Sequence, residues 1–208
     1  VGIEVPNKKR QIVYYRKILD NPQWAPEQFT LPVALGEDIS GKSVVIDLVR
    51  APHLLIAGST GSGKSVCINA LMASILSTKT PDDVRVLLVD PKVVELKPYE
   101  KIPHLAYSVI TSPEEAVQML KWSCEEMDRR YEVLSSAKVR NIAGFNAKFK
   151  ANELPEDVQE GDRRQMPLLL IVIDELADLM MVAGKDVEKS IARIAQKARA
   201  VGIHLVLA

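Results

Sequence analysis

Cysteine is nearly absent from this 208-residue sequence: Cys67 and Cys124 stand far apart, each inside a helix-like apolar pattern. That excludes a disulfide framework and a thiolate metal site, and it reads as two buried free thiols of a reducing compartment. No run reaches the ~18 apolar residues that a membrane span needs, and the opening residues have no signal-peptide pattern, so a cytoplasmic piece is expected. Neither charge is in excess, with 27 Lys plus Arg against 27 Asp plus Glu. No bulk positive field therefore draws the chain to nucleic acid, although local phosphate contacts do not require one. Aromatics are 5% of the chain and are not interleaved with basic residues, so Trp24 and Trp122 read as packing residues, not base-stacking platforms. His53, His104 and His204 lack metal-ligand spacing and are read as structural. Internal repeats and low-complexity tracts are missing too.

What is present is an ordinary globular composition, 47% apolar and 26% charged, at a size that buries roughly 70% of the unfolded surface without staples. Residues 1–20 read as an extended start, a Pro6-Asn7 turn and a helix-like run "KKRQIVYYRKIL". Residues 21–28, with Pro22 and Pro26, read as a linker. Residues 31–50 predict a β-hairpin turning at Ser40-Gly41. Strands and helices then alternate: "HLLIAG", a helix over 64–76, "VRVLLVD" at 84–90, a long helix after Ser112, "LLLIVID" at 168–174, a helix over 186–200 ended by Gly202, and "IHLVLA". Ser112-Pro113-Glu114-Glu115 predicts a capping box, and Ala116, Leu120, Cys124, Met127, Tyr131 and Leu134 form one helical stripe. Residues 152–167 read as a polar surface loop, with disorder as the alternative. Lys138, Arg140, Lys148 and Lys150 read as a solvated basic face. Buried strands alternating with helices predict an α/β fold with a mostly parallel sheet covered on both faces.

One motif carries the chemistry. Gly58-Ser59-Thr60-Gly61-Ser62-Gly63-Lys64-Ser65 matches G-x-x-x-x-G-K-[ST] at every fixed position. The glycines let successive backbone N–H groups turn inward onto phosphate oxygens, and the following helix presents its positive end to the same anion. Lys64 is expected on the outer phosphates of ATP and the Ser65 hydroxyl on Mg²⁺. Asp174-Glu175 ends the strand "LLLIVID", on the edge of a parallel sheet where ligands bind. Asp174 is placed to hold Mg²⁺ through water, and Glu175 to polarise the attacking water. Asp174 as a plain cap of the helix "ELADLMM" is the structural alternative. Asp178 is read as a helix-surface charge. Asp90 and Lys92 fall on the ligand edge, where a part in the site or a simple strand-ending turn at Pro91 are both open.

The phosphate loop, "VDPKVVELKPYEKIPHL", "MDRRYEVL", "VRNIAGFN", "IVIDELADLMM" and "RIAQKARAVGIHLVLA", in this order, resemble the FtsK/SpoIIIE family of bacterial DNA translocases across essentially the whole chain. The resemblance implies a RecA-like P-loop ATPase core over 31–208, preceded by a connecting segment, 1–30, at the end of a smaller domain. It implies a homo-oligomer, a hexameric ring, driving duplex DNA through its pore with ATP during chromosome segregation at division or sporulation, anchored in the inner membrane by a segment absent here. It also implies further chain after Ala208, with a Thr-Gln-Arg segment and most of the DNA-contacting loops. Lys64, Ser65, Asp174 and Glu175 match the family's site positions.

Ring ATPases complete the site with an Arg from a neighbour. The helix over 186–200 offers Arg193, opposite its buried stripe, and Arg199, on its flank. Both fall at the sheet end away from the phosphate loop, on the order of 20 Å off, so either acts only in trans. "KARAVGIH" matches the family's finger position, which selects Arg199, with an ordinary helix-end arginine favoured by the dipole as the alternative. A protein-exporting ATPase of a type VII secretion system is the alternative function. It is less favoured because only one phosphate loop is present.

Overall fold

The computed structural model of the protein describes residues 12–59 and 61–208. Helix α1 (Tyr15–Leu19) is shorter than the run expected over 8–19: Ile12, Val13 and Tyr14 are exposed, Tyr14 is extended, and residues 8–11 lie outside the described ones, as do the extended start and the Pro6-Asn7 turn. Only Ile18 of α1 is buried. An apolar stretch with nothing to lie on gains no tertiary support for helix. The expected linker carries a short 3-10 turn at Pro26–Gln28. Strands β1 (Pro32–Glu37) and β2 (Ser43–Asp47) pair antiparallel as a separate two-stranded sheet. Asp38 accepts the Ser40 and Lys42 amides across their turn, and Gly41 holds the left-handed position at φ 80°.

The main sheet follows from the alternation of apolar runs. Its elements are β3 (Leu54–Leu55), α2 (Lys64–Leu76), β4 (Val84–Val89), α3 (Pro113–Ser136), α4 (Ile142–Lys150), β5 (Leu168–Ile173), α5 (Leu176–Lys197) and β6 (Ile203–Leu207). The strand order is β3-β6-β5-β4, and every pairing is parallel. From β3 the chain crosses the whole sheet to β4, then returns through β5 to β6. Right-handed crossovers therefore place α2 on one face and α3, α4 and α5 on the other. All six β5 residues are buried. Successive strand side chains point to opposite faces, so both faces are covered.

The hairpin lies on α2. The buried Ser74 hydroxyl of that helix accepts the Ala34 amide at 3.1 Å, sits 2.9 Å from the Tyr15 hydroxyl and donates to the Ala70 carbonyl at 2.6 Å. On the opposite face α3 runs along α5. Lys121 pairs with Asp186 at 2.7 Å and Arg193 with Asp128 at 2.7 Å, over buried Cys124, Met127, Val187 and Ile194. In the expected stripe of α3, Tyr131 stays partly exposed and donates its hydroxyl to the Lys197 carbonyl. The Ser112 hydroxyl accepts from Glu115 N at 3.2 Å, which is the first half of the predicted capping box, and it donates to the Glu114 carboxylate at 2.9 Å.

Three expectations are refined. Helix α4 forms inside the basic stretch, capped by Asn141 and seated on Ile142 and the fully buried Phe145, while Lys138, Arg140 and Lys150 stay exposed as expected. Residues 152–167 are an ordered loop, because Leu154, Val158 and Met166 are buried and Arg163 donates to the Leu154 and Pro155 carbonyls. Residues 176–197 carry two helical segments that meet at a break at Ala183 (φ −143°, ψ 41°), in line with the helix "ELADLMM" and the one after Asp186, and the second ends at Lys197, short of Ala200. Gly202, at φ 72°, is required twice over: a Cβ there would meet Leu168 Cδ2 at 2.7 Å and Ile142 Cδ1 at 2.8 Å. His204 lies fully buried in β6, where desolvation pushes its pKa down to about 4, so it is neutral and structural. No helix among the described residues is long and apolar enough to cross a membrane.

Candidate active site

Parallel register brings the site together. Leu55 pairs with Leu207, Leu207 with Ile173, and Ile173 with Val89, a single row across the sheet. The residues that follow each strand, the phosphate loop, Ala208, Asp174 and Asp90, therefore emerge at one edge. Strand β6 separates β3 from β5, which opens roughly 10 Å between the loop and the acidic tip at the usual ~4.8 Å strand spacing. That gap is the floor of a cleft of about 670 Å³ lined by Gly58, Lys64, Ser65, Lys92, Asp174 and Glu175, among others.

The loop has the geometry its glycines predict. Gly61 and Gly63 sit at φ 79° and 102°, where a side chain would be strained. At Gly58 a Cβ would crowd the Ser62 side chain, whose exposed hydroxyl would have to turn away. Helix α2 begins with Gly63 as N-cap and has no side-chain cap. Its first N–H groups and the positive end of its dipole are left to an anion. Asn69 donates to the Ser65 carbonyl at 2.9 Å and accepts from the Tyr99 hydroxyl at 2.6 Å, a brace behind the first helical turn. Thr60 lies outside the described residues.

Lys64 spans the cleft. Its ammonium donates to the Asp174 carbonyl at 2.6 Å and to Glu175 Oε2 at 3.4 Å, and lies 3.9 Å from Asp174 Oδ1. Asp174 is not a helix cap. That position belongs to Glu175, whose carboxylate turns away to lysines and caps nothing. Asp174 is 3% exposed, and its Oδ1 is buried without a hydrogen-bond partner. Burial raises its pKa, with Lys64 opposing. A buried orphan carboxylate oxygen facing a phosphate cradle is the environment that a hydrated divalent cation satisfies. With the Ser65 hydroxyl on the other wall, the donor set fits Mg²⁺. Glu175 is held below the usual carboxylate range, chiefly by Lys92, whose ammonium is 2.8 Å from Oε2.

The Lys92–Glu175 contact is the feature that sequence reading missed. It placed Lys92 only on the ligand edge, and no local signal names a partner 83 residues away. Asp90 is fully buried. One of its oxygens accepts the Val94 and Leu96 amides, and the other has no partner. Arg193 is occupied by Asp128, whereas Arg199 is exposed and makes no ion pair among the described residues. It stands at the far sheet edge, just before β6 opens opposite Leu169. The site residues of the phosphate loop, Asp174 and Glu175 thus share one cleft, and Arg199 lies outside it.

The FtsK/SpoIIIE family profile matches residues 15–208. The chain is 48% identical over its full length to "DNA translocase FtsK" of Haemophilus influenzae, covering 42% of that protein. It is 49% identical over its full length to "DNA translocase FtsK" of Borreliella burgdorferi, covering 25% of it. The chain therefore spans less than half the length of these curated relatives. Among solved structures, the pCW3 conjugation coupling protein TcpA, a monomer form with ATPγS, superposes with TM-score 0.70 at 30% identity over 90% of this chain and 50% of that one. The cytoplasmic domain of the type VII secretion ATPase EccC of Thermomonospora curvata gives 0.70 at 29% identity over 86% of this chain and 21% of that one. The sheet is thus that of a P-loop ATPase. Since the family profile spans all but the first residues and near-half identity runs from end to end, this protein belongs to the FtsK/SpoIIIE family.

Proposed function

We propose that this chain is the ATP-hydrolysing core of a motor that drives duplex DNA through a homo-hexameric ring in chromosome segregation at cell division or sporulation. Residues 31–208 form the RecA-like core and 1–30 a connecting segment. Another part of the polypeptide tethers the motor to the bacterial inner membrane. The observation that carries the reading is the strand register, which sets the loop Gly58–Ser65 against Asp174-Glu175 across one intervening strand. The near-half identity to proteins named DNA translocases directs it to DNA.

Gly58, Ser59, Thr60, Gly61, Ser62 and Gly63 wrap the phosphates of ATP with backbone N–H groups, and Lys64 turns from the Asp174 carbonyl to the outer phosphates. Ser65 and, through water, Asp174 would hold Mg²⁺, which would supply charge neutralisation on the phosphate oxygens. Glu175 accepts a proton from the attacking water, whose oxygen displaces ADP from the terminal phosphorus.

Arg199 of one copy completes the cleft of the next. Arg199→Ala is expected to leave ATP binding by separated subunits unchanged and to slow hydrolysis by about tenfold or more in the assembled ring alone. An equal loss in separated subunits removes the trans role.

Protein export is the second reading, supported by the likeness to the type VII secretion ATPase. ATP turnover by the native-length protein, measured with and without linear duplex DNA, separates the two. A several-fold rise with DNA is expected. Indifference to DNA, with a rise on adding an export-signal peptide, overturns the DNA reading.

A further inference from the structure

Lys92 has no part in the phosphate cradle described above, yet it makes the shortest contact of the Glu175 carboxylate, 2.8 Å to Oε2. Lys64 shares that oxygen at 3.4 Å. Oε2 is thus committed to two ammonium groups, which leaves only Oε1 to accept from a water molecule. When Lys64 moves to a phosphate, Lys92 is the hold that remains.

The backbone under Lys92 is anchored. Asp90 N donates to the Ile110 carbonyl at 2.8 Å, the Asp90 carboxylate accepts the amides of Val94 and Leu96 at 2.9 and 3.0 Å, and Val93 N donates to the Asp90 carbonyl at 3.1 Å. Lys92 sits inside this tied turn with its side chain 53% exposed, so its position is set by the end of β4, while that of Glu175 is set by the end of β5.

We infer that Lys92 is a positioning residue: it retains Glu175 in a withdrawn pose, and hydrolysis requires that the Lys92–Glu175 contact be released. The inference rests on the proposed role of Glu175 as the base. The restraint is electrostatic and local, so it slows the chemical step without contributing to nucleotide affinity.

The test is the native-length protein carrying Lys92→Met, which keeps the unbranched stem, and Lys92→Arg, which keeps the charge, with basal turnover and ATPγS affinity measured separately. Lys92→Met is expected to raise basal kcat about three- to tenfold with affinity unchanged within about twofold, a gain that loss of a merely structural contact does not produce. Lys92→Arg should restore the parent rate. In a Glu175→Gln background, Lys92→Met should have no effect on the residual rate. A fall in kcat, an unchanged kcat, or an affinity loss of about tenfold overturns the restraint, the last by making Lys92 a phosphate ligand. If Glu175→Gln alone hydrolyses at the parent rate, the assignment of the base has failed, and the restraint fails with it. If Glu175→Gln is dead but Lys92→Met is not faster, only the restraint has failed.

Discussion

Glu175→Gln is expected to bind ATP within about threefold of the parent and to turn it over about 10²- to 10⁴-fold more slowly. In barrier terms this is about 3 to 5.5 kcal/mol. Gln has nearly the same shape as Glu and can still accept from Lys92, so the wall of the cleft is preserved. What it lacks is the charge that takes a proton from water. The binding terms come from elsewhere: the loop N–H groups, the uncapped start of α2 and Lys64. Single-turnover hydrolysis beside a direct nucleotide titration resolves the two effects. A turnover rate within a few-fold of the parent would remove Glu175 from the mechanism.

The second large effect is Lys64→Ala. Ammonium–phosphate hydrogen bonds are charge-assisted and worth more than neutral ones. Losing the side chain is expected to weaken ATP binding about 100-fold or more, roughly 2.7 kcal/mol. Folding should barely register the change. The contact of Lys64 with Glu175 is 3.4 Å long and partly exposed, and Lys92 still pairs that carboxylate. Such pairs contribute about 1 kcal/mol or less. The buried Asp174 carboxylate, its pKa already pushed up by burial, can take a proton when its opposing ammonium and the bond to its carbonyl are gone. A melting temperature within a few degrees of the parent, together with lost binding, is the predicted signature. Intact affinity would show that the loop backbone alone holds the phosphates.

The elements that were legible are those whose cause is local. Gly61 and Gly63 take left-handed φ values that other residues avoid, and the helix begins at Lys64, the residue after the last of them. The runs "VRVLLVD" and "LLLIVID" have no polar alternation, which marks strands covered on both sides, and they are β4 and β5 to within one residue. Helix α4 was not legible because its apolar stripe is short, and the lysines along it suggested a solvated face. Its stability comes from Phe145 entering the core. The loop over 152–167 read as a surface loop in which composition left disorder open, yet three buried side chains and Arg163 order it. Composition averages over a segment, whereas order depends on a few anchors.

By itself, the amino-acid sequence determined that a phosphate-binding loop exists, where its helix starts, and which strand ends in Asp174-Glu175. Backbone conformational preference and side-chain periodicity act over a few residues, and both are written in the chain. Only the tertiary structure decided that β6 enters between β3 and β5, so that the loop and the carboxylates stand a triphosphate's width apart, and that Lys92 meets Glu175. Strand order and charge pairing are settled by contacts between residues far apart in the chain, and no local pattern specifies which of the compatible partners will pack together.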